Sequence, residues 1–211
     1  MTIISLKYEA SGDGVIGVEF SDGSSITLSV EYLPGGISLK TLEQGTGGIE
    51  EKYAGRELPV DEEEAFRFAA ACYRAEKAAL RLIARAEQNS LGLTAKLERR
   101  FHDKAAVRAV VTSLLNRNLL DDERYAELWI RSRLRKAPSP AQLLVSLGKR
   151  GIGRDSSREA VKKVLDPETE YALLLKYLER TGLAENGKAI SPRTELKFQG
   201  FSALVLERYF D

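Results

Sequence analysis

A helical unit that occurs twice, fifty residues apart, constrains this chain more than any other feature. The first copy is Leu93, Leu97 and Phe101, followed by Val107, Val111 and Leu114. The second is Leu143, Leu147 and Gly151, followed by Ser157, Val161 and Val164. Leucines four apart share one helix face, and one such unit cannot bury that face by itself. The repeat therefore predicts stacked helical units. A third copy is Leu196, Gly200 and Phe201, matching Leu97, Phe101 and His102 at an offset of ninety-nine. Three units of three helices each follow, at about 61–119, 120–165 and 166–211.

Local signals place the helices. Asp61-Glu-Glu-Glu64 after Pro59 reads as a cap and an acidic first turn, opening a helix to about Gln88. The next helices are expected at about 91–101 and 103–118, then from Asp121 or Asp122 to Ala137. Pro138-Ser-Pro140 breaks that helix, and Ser139 can cap one over about 140–150. Asp155 or Ser156 opens the next, Pro167 opens one to about Thr181, and Pro192 follows a polar loop at 182–191. A last helix spans about 202–210.

Residues 2–34 have a different period. Ile4, Leu6 and Tyr8 alternate with Ser5, Lys7 and Glu9, and Val15-Ile-Gly-Val-Glu-Phe20 runs into Ser21-Asp22-Gly23-Ser24, a hairpin turn. The expected fold is mainly α: tandem three-helix repeats in a curved array, preceded by a small antiparallel β domain. Residues 1–60 form that domain and a Gly-rich linker, with a short helix around Leu39 and Leu42, and 61–211 the repeats.

Charge divides the chain similarly. Residues 1–60 hold 4 Lys and Arg against 9 Asp and Glu, whereas 61–211 hold 28 against 22. An anionic partner is thus expected for the second part only. Cys72 is the single cysteine, so no internal disulfide forms, and its helical, apolar context reads as a buried inert thiol. No apolar run reaches the roughly 20 residues of a membrane span, and the N-terminus lacks a secretory pattern. The cytoplasm is the expected location.

Three features could be read as catalytic. Gly12-x-Gly14-x-x-Gly17 matches a dinucleotide-binding pattern, but there the glycines must open a helix, and here they lead into a strand. A Gly-rich turn followed by a strand bulge is the reading taken. His102, beside Asp103 and Lys104, reads as an exposed turn residue. Asp121 and Asp122 are adjacent at a helix start, where capping and the helix dipole account for them. No catalytic residue, metal site, cofactor or small-molecule substrate is assigned.

The basic residues carry more. At about 100° per residue, Arg124, Arg131 and Arg135 share one face of a helix to Ala137. Trp129 and Tyr125 lie opposite, with Trp129 expected to be buried between the first two repeats. Arg133 falls in the apolar arc and must snorkel, pair, or lie beyond the packed part. Lys149, Arg150, Arg154, Arg158, Lys162 and Lys163 form a second cluster, and Lys96, Arg99 and Arg100, with Lys104, a third. Leu97 and Leu147 are expected at the centre of the repeats. A basic strip of this kind suits phosphates or an acidic protein surface, in a sequence-independent manner.

Ala78-Ala-Leu-Arg-Leu-Ile-Ala-Arg85, Ser90, Leu93-x3-Leu97, Leu120-Asp121-Asp122-x-x-Tyr125-Ala126, Arg131-Ser-Arg133 and Leu147-x-x-Arg150-Gly151-Ile152 together resemble the RecX family. The resemblance is dense over about 75–165. Gly92 and Phe101 depart from its pattern, so the 91–101 helix is expected to be shorter or differently capped. The resemblance implies a non-enzymatic modulator of the RecA recombinase. Such a protein lies in the groove of the RecA–DNA filament and restrains strand exchange, ATP turnover and co-protease activity. A helical DNA-binding module without a recombinase partner is the alternative.

Overall fold

The computed structural model describes residues 2–8, 14–33, 55, 57–183 and 191–211. Residues 34–54, with the expected linker and short helix, lie outside them, as does Gly12. Among the described residues the order is β1 (Ile3–Tyr8), β2 (Val15–Phe20), β3 (Ser25–Ser29), then nine α-helices. These are α1 (Val60–Ile83), α2 (Ser90–Glu98), α3 (Lys104–Asn116), α4 (Asp122–Arg133) and α5 (Pro140–Gly148). Next come α6 (Arg154–Val164), α7 (Pro167–Thr181), α8 (Pro192–Phe198) and α9 (Ala203–Phe210). The helices are three tandem units of three, and the chain packs as two compact units, 1–86 with 93–119 and 87–92 with 120–211. A division at residue 60 therefore does not follow the packing: Leu58, Phe66, Ala69 and Ala70 share one core with the sheet.

In the first unit the strands form an antiparallel sheet in the order β1-β2-β3. The β2–β3 hairpin turns at Gly23, with φ of 81°, and the Asp22 carboxylate accepts from the Ser24 amide at 2.9 Å and hydroxyl at 2.6 Å. Those donors hold the Asp22 carboxyl below its usual range. Gly17 sits mid-strand, in register with both Lys7 and Thr27, and the next element is β3. The glycine run therefore opens no helix. The expected bulge is on the other strand: pairing slips between Ile3 and Ser5. That slip turns Ile3 and Leu6 inward and leaves Ile4 60% exposed, so the strict alternation of Ile4 with Leu6 is corrected.

α1 lays Phe66, Ala69 and Ala70 on the sheet and Cys72 toward α3. The Cys72 thiol is fully buried, lies 3.8 Å from the Ala106 carbonyl as donor, and is pushed up to about 12 by burial. It is inert as a nucleophile. Buried Glu76 pairs with Arg117, which also reaches Glu31 at 3.4 Å.

The second unit shows the repeat most plainly. α5 and α8 each end in a left-handed glycine, Gly151 at φ 80° and Gly200 at φ 86°. In each, the following amide reaches back five residues, Ile152 to Leu147 and Phe201 to Leu196, both at 3.2 Å. Ile152 and Phe201 are buried, whereas His102, the matching residue of the first repeat, is exposed. Each glycine turn also lies against the start of an earlier second helix. The side chain of Asn89 donates to the Arg150 carbonyl, and the Ala141 amide to the Gln199 carbonyl at 2.9 Å. A Cβ on Gly151 would meet Leu91 Cβ at 2.8 Å. A Cβ on Gly92 would meet Asn89 Oδ1 at 2.6 Å, so the Asn89 side chain would have to shift.

Several helix limits shift. α1 starts from Pro59 with no side-chain cap and ends at Ile83; α2 ends at Glu98; α6 starts from Gly153, ahead of Asp155. α5 has a complete capping box between Ser139 and Gln142.

Candidate functional site

α4 holds the first cationic group, and its end differs from the expectation. The helix stops at Arg133, a single 3-10 turn covers Leu134–Lys136, and Ala137 takes a left-handed conformation at φ 45°. Arg135 thus leaves the helix and the three-arginine stripe is corrected. Arg124 is also engaged: Nε and a terminal nitrogen lie 2.8 and 2.7 Å from one Glu87 oxygen, with Asp121 at 3.8 Å. The Glu87 hydrogen bond holds the Arg124 guanidinium above its ordinary value. Arg131 and Arg135 are exposed, and neither forms an ion pair with a described carboxylate.

The adjacent acids separate in role. Asp121 caps α4, accepting from the Glu123 and Arg124 amides at 2.9 and 3.0 Å. Asp122 instead accepts from the Ser90 amide at 2.7 Å and hydroxyl at 2.6 Å, fixing the start of α2. The same bidentate grip recurs where Glu170 of α7 holds the Ser202 amide and hydroxyl, both at 2.7 Å.

Trp129 is half-buried, a correction to the buried position expected of it. It packs at the margin of the second unit's core with Tyr125, also half-buried. The Arg150 guanidinium lies 4.3 Å and the Arg133 guanidinium 5.3 Å from its ring centre. Arg133 therefore resolves its place in the apolar arc by an aromatic contact. Arg150, which also donates to the Ser146 carbonyl at 2.8 Å, is a packing residue. Trp129, Arg133, Lys136, Val145 and Lys149 line a cavity of about 530 Å³. Lys136 is the member that the sequence reading missed, because it treated 122–137 as one helix.

On α6, Arg154, Arg158 and Lys162 recur every fourth residue on one exposed face, opposite buried Ser157, Ala160 and Val164. Arg158 lies 3.6 Å from Asp155, and Lys163 pairs with Glu127, which raises the Lys163 ammonium. Arg154 and Lys162 form no ion pair with a described carboxylate. Lys96, Arg99 and Arg100 belong to the first unit, exposed at the end of α2 and in the turn after it. Leu97 and Leu147 are fully buried. The second unit thus offers two exposed cationic faces, one at the end of α4 and one on α6. No group of described residues could hold a metal ion, and no described helix is long and apolar enough to cross a membrane.

No family model matches the chain. It is 38% identical over 124 residues to the regulatory protein RecX of Treponema pallidum (strain Nichols), covering 58% of this chain and 76% of that protein. To the regulatory protein RecX of Halorhodospira halophila it is 41% identical over 75 residues, 36% of this chain and 47% of that protein. A crystal structure of regulatory protein RecX shares the fold, with a TM-score of 0.65 over 98% of this chain and 97% of that one at 17% identity. On the extent of these likenesses, the chain belongs to the RecX family of regulatory proteins.

Proposed function

We propose that this chain is a non-enzymatic modulator of the RecA recombinase. It binds the RecA–DNA filament in the cytoplasm and restrains strand exchange and ATP turnover in DNA repair, recombination and the SOS response. Membership of a regulatory family supports the reading. The observation that carries it at the residue level is the set of exposed cations in the second unit, Arg131 and Arg135 at the end of α4 and Arg154 and Lys162 on α6, none of which forms an ion pair with a described carboxylate. Such charges contribute little to folding, about 0–1 kcal/mol each, but steer encounter with a polyanionic filament and add salt-dependent affinity.

The test is RecA-dependent ATP hydrolysis on single-stranded DNA, titrated with the parent and with Arg131→Glu/Arg135→Glu at two salt concentrations. The parent inhibits, less so at the higher salt. The variant melts as the parent does and does not inhibit. Superimposable inhibition curves would remove this face from the interface. If the parent binds DNA but leaves RecA turnover unchanged, the chain is a DNA-binding module without this partner.

A further inference from the structure

The cavity of about 530 Å³ between the end of α4 and the outer side of α5 has an amphipathic lining. Pro138, Ala141, Leu143 and Val145 supply an aliphatic floor, and Val145 is 59% exposed. Arg133, Lys136 and Lys149 bring three cations to the same walls, and no aspartate or glutamate lines them. Lys136 and Lys149 are exposed, and neither forms an ion pair with a described carboxylate. Two buried N–H groups of the lining residues, Trp129 Nε1 and Arg133 Nε, meet no acceptor among the described residues. Three charges and two unmatched donors leave the wall electropositive, and its concavity focuses that potential on an anion.

The rest of the lining selects among anions. Unpaired bases stack on bare aromatic faces, but the Trp129 ring is already faced by the guanidinia of Arg150 at 4.3 Å and Arg133 at 5.3 Å. A nucleic acid would therefore gain from its phosphates alone, and an inorganic anion likewise leaves the aliphatic floor wet. Gln142, Val145 and Lys149 are exposed and fall within about 60° of one another on α5 and its C-cap. The mouth thus runs about 10 Å along the helix, roughly three residues of an extended chain. A short protein segment with one aliphatic side chain among carboxylates meets both demands. The side chain covers Ala141 and Val145, and the carboxylates lie against Arg133, Lys136 and Lys149, where the planar guanidinium fork matches a carboxylate.

We infer that this cavity of the second unit docks an acidic protein segment anchored by one aliphatic side chain. The inference deepens the recombinase reading, because it gives a protein partner a contact of stated chemistry. The two are tested apart: Arg131 and Arg135 line no part of the cavity, and the docking experiment contains no recombinase.

Trp129 is the single tryptophan, so its fluorescence reports on the cavity directly. The probe is the capped peptide acetyl-Glu-Asp-Leu-Asp-Glu-amide, titrated into the full chain. It should change the Trp129 emission saturably, with an affinity that falls as salt is raised. Lys136→Glu/Lys149→Glu should weaken binding at least about tenfold at low salt and leave the melting curve unchanged. Val145→Glu, at an exposed position with both lysines kept, should weaken it through the floor instead. The same peptide with serine in place of leucine should bind the parent at least about tenfold more weakly, since burying a leucine side chain contributes more than one decade of affinity. An emission that the peptide does not move overturns the inference, as do variants that bind like the parent. Equal binding of the serine peptide overturns it too, because the cavity would then read charge alone. Oligo(dT) of matched charge is the last arm. If it moves the Trp129 emission as strongly as the peptide, and Lys136→Glu/Lys149→Glu abolishes that change, the cavity takes a phosphate backbone and the protein-segment assignment falls. Each of these failures leaves the ATP hydrolysis test of the recombinase reading standing.

Discussion

Gly151 answers two demands at once. Its φ of 80° is left-handed, and the place of its missing Cβ is filled by Leu91. An alanine there meets a left-handed backbone cost of about 1–2 kcal/mol and an overpacking cost of about 1–3 kcal/mol. Gly151→Ala should lower stability by about 2–4 kcal/mol in urea denaturation, and adding Leu91→Ala should return only the packing part. Recovery of full stability in the double variant would mean the backbone conformation costs nothing. Trp129 offers a second residue-scale test. Its ring is half-buried and faced by Arg150 at 4.3 Å, so Trp129→Ala should cost about 2 kcal/mol, below the loss for a fully buried ring. A double-mutant cycle with Arg150→Ala should give a coupling of about 0.5–2 kcal/mol. Simple additivity would show that the stacked cation contributes only by proximity.

At the scale of the element, the start of α2 depends on a residue of α4. The Asp122 carboxylate satisfies both the Ser90 amide and its hydroxyl, charge-assisted hydrogen bonds of the stronger kind. Asp122→Ala should cost about 1–3 kcal/mol, with Asp122→Asn retaining part of it. Native-state hydrogen exchange supplies the local readout: protection should fall at residues 90–93 while α5 and α6 keep theirs. Uniform loss across the second unit would show a global effect with no local role. The repeated grip of Glu170 on Ser202 predicts the same pattern at the start of α9.

At the scale of the molecule, the sheet and α1 are one packing unit. Ile3, Ile16, Leu28 and Phe66 belong to a single buried cluster. A fragment beginning at residue 60 leaves the apolar face of α1 without its cover, whereas the core from Ala126 to Leu206 is untouched. That fragment should keep helical circular dichroism from the second unit and bind a hydrophobic dye such as ANS that the full chain does not bind. A fragment that melts in one transition and ignores the dye would show that the repeats fold without the sheet.

The sequence alone determined the three-helix period, most helix starts and the hairpin. Those signals are local: leucines four apart, Asp121 and Ser139 at N-caps, Pro167 and Pro192 at first turns, and Asp-Gly between alternating runs. It also placed Leu97 and Leu147 at the centre of their repeats, because a burial stripe follows from helical spacing. Which cations face outward was decided only by tertiary structure. Arg124 is engaged by Glu87, thirty-seven residues away, and the Trp129 ring is faced by Arg150 from the turn after α5. The slip that turns Ile4 outward, the halt of α4 at Arg133 and the gathering of Arg133, Lys136 and Lys149 around one cavity have the same origin. Each depends on which elements lie side by side, and side-chain charge pairs form across those contacts rather than along the chain.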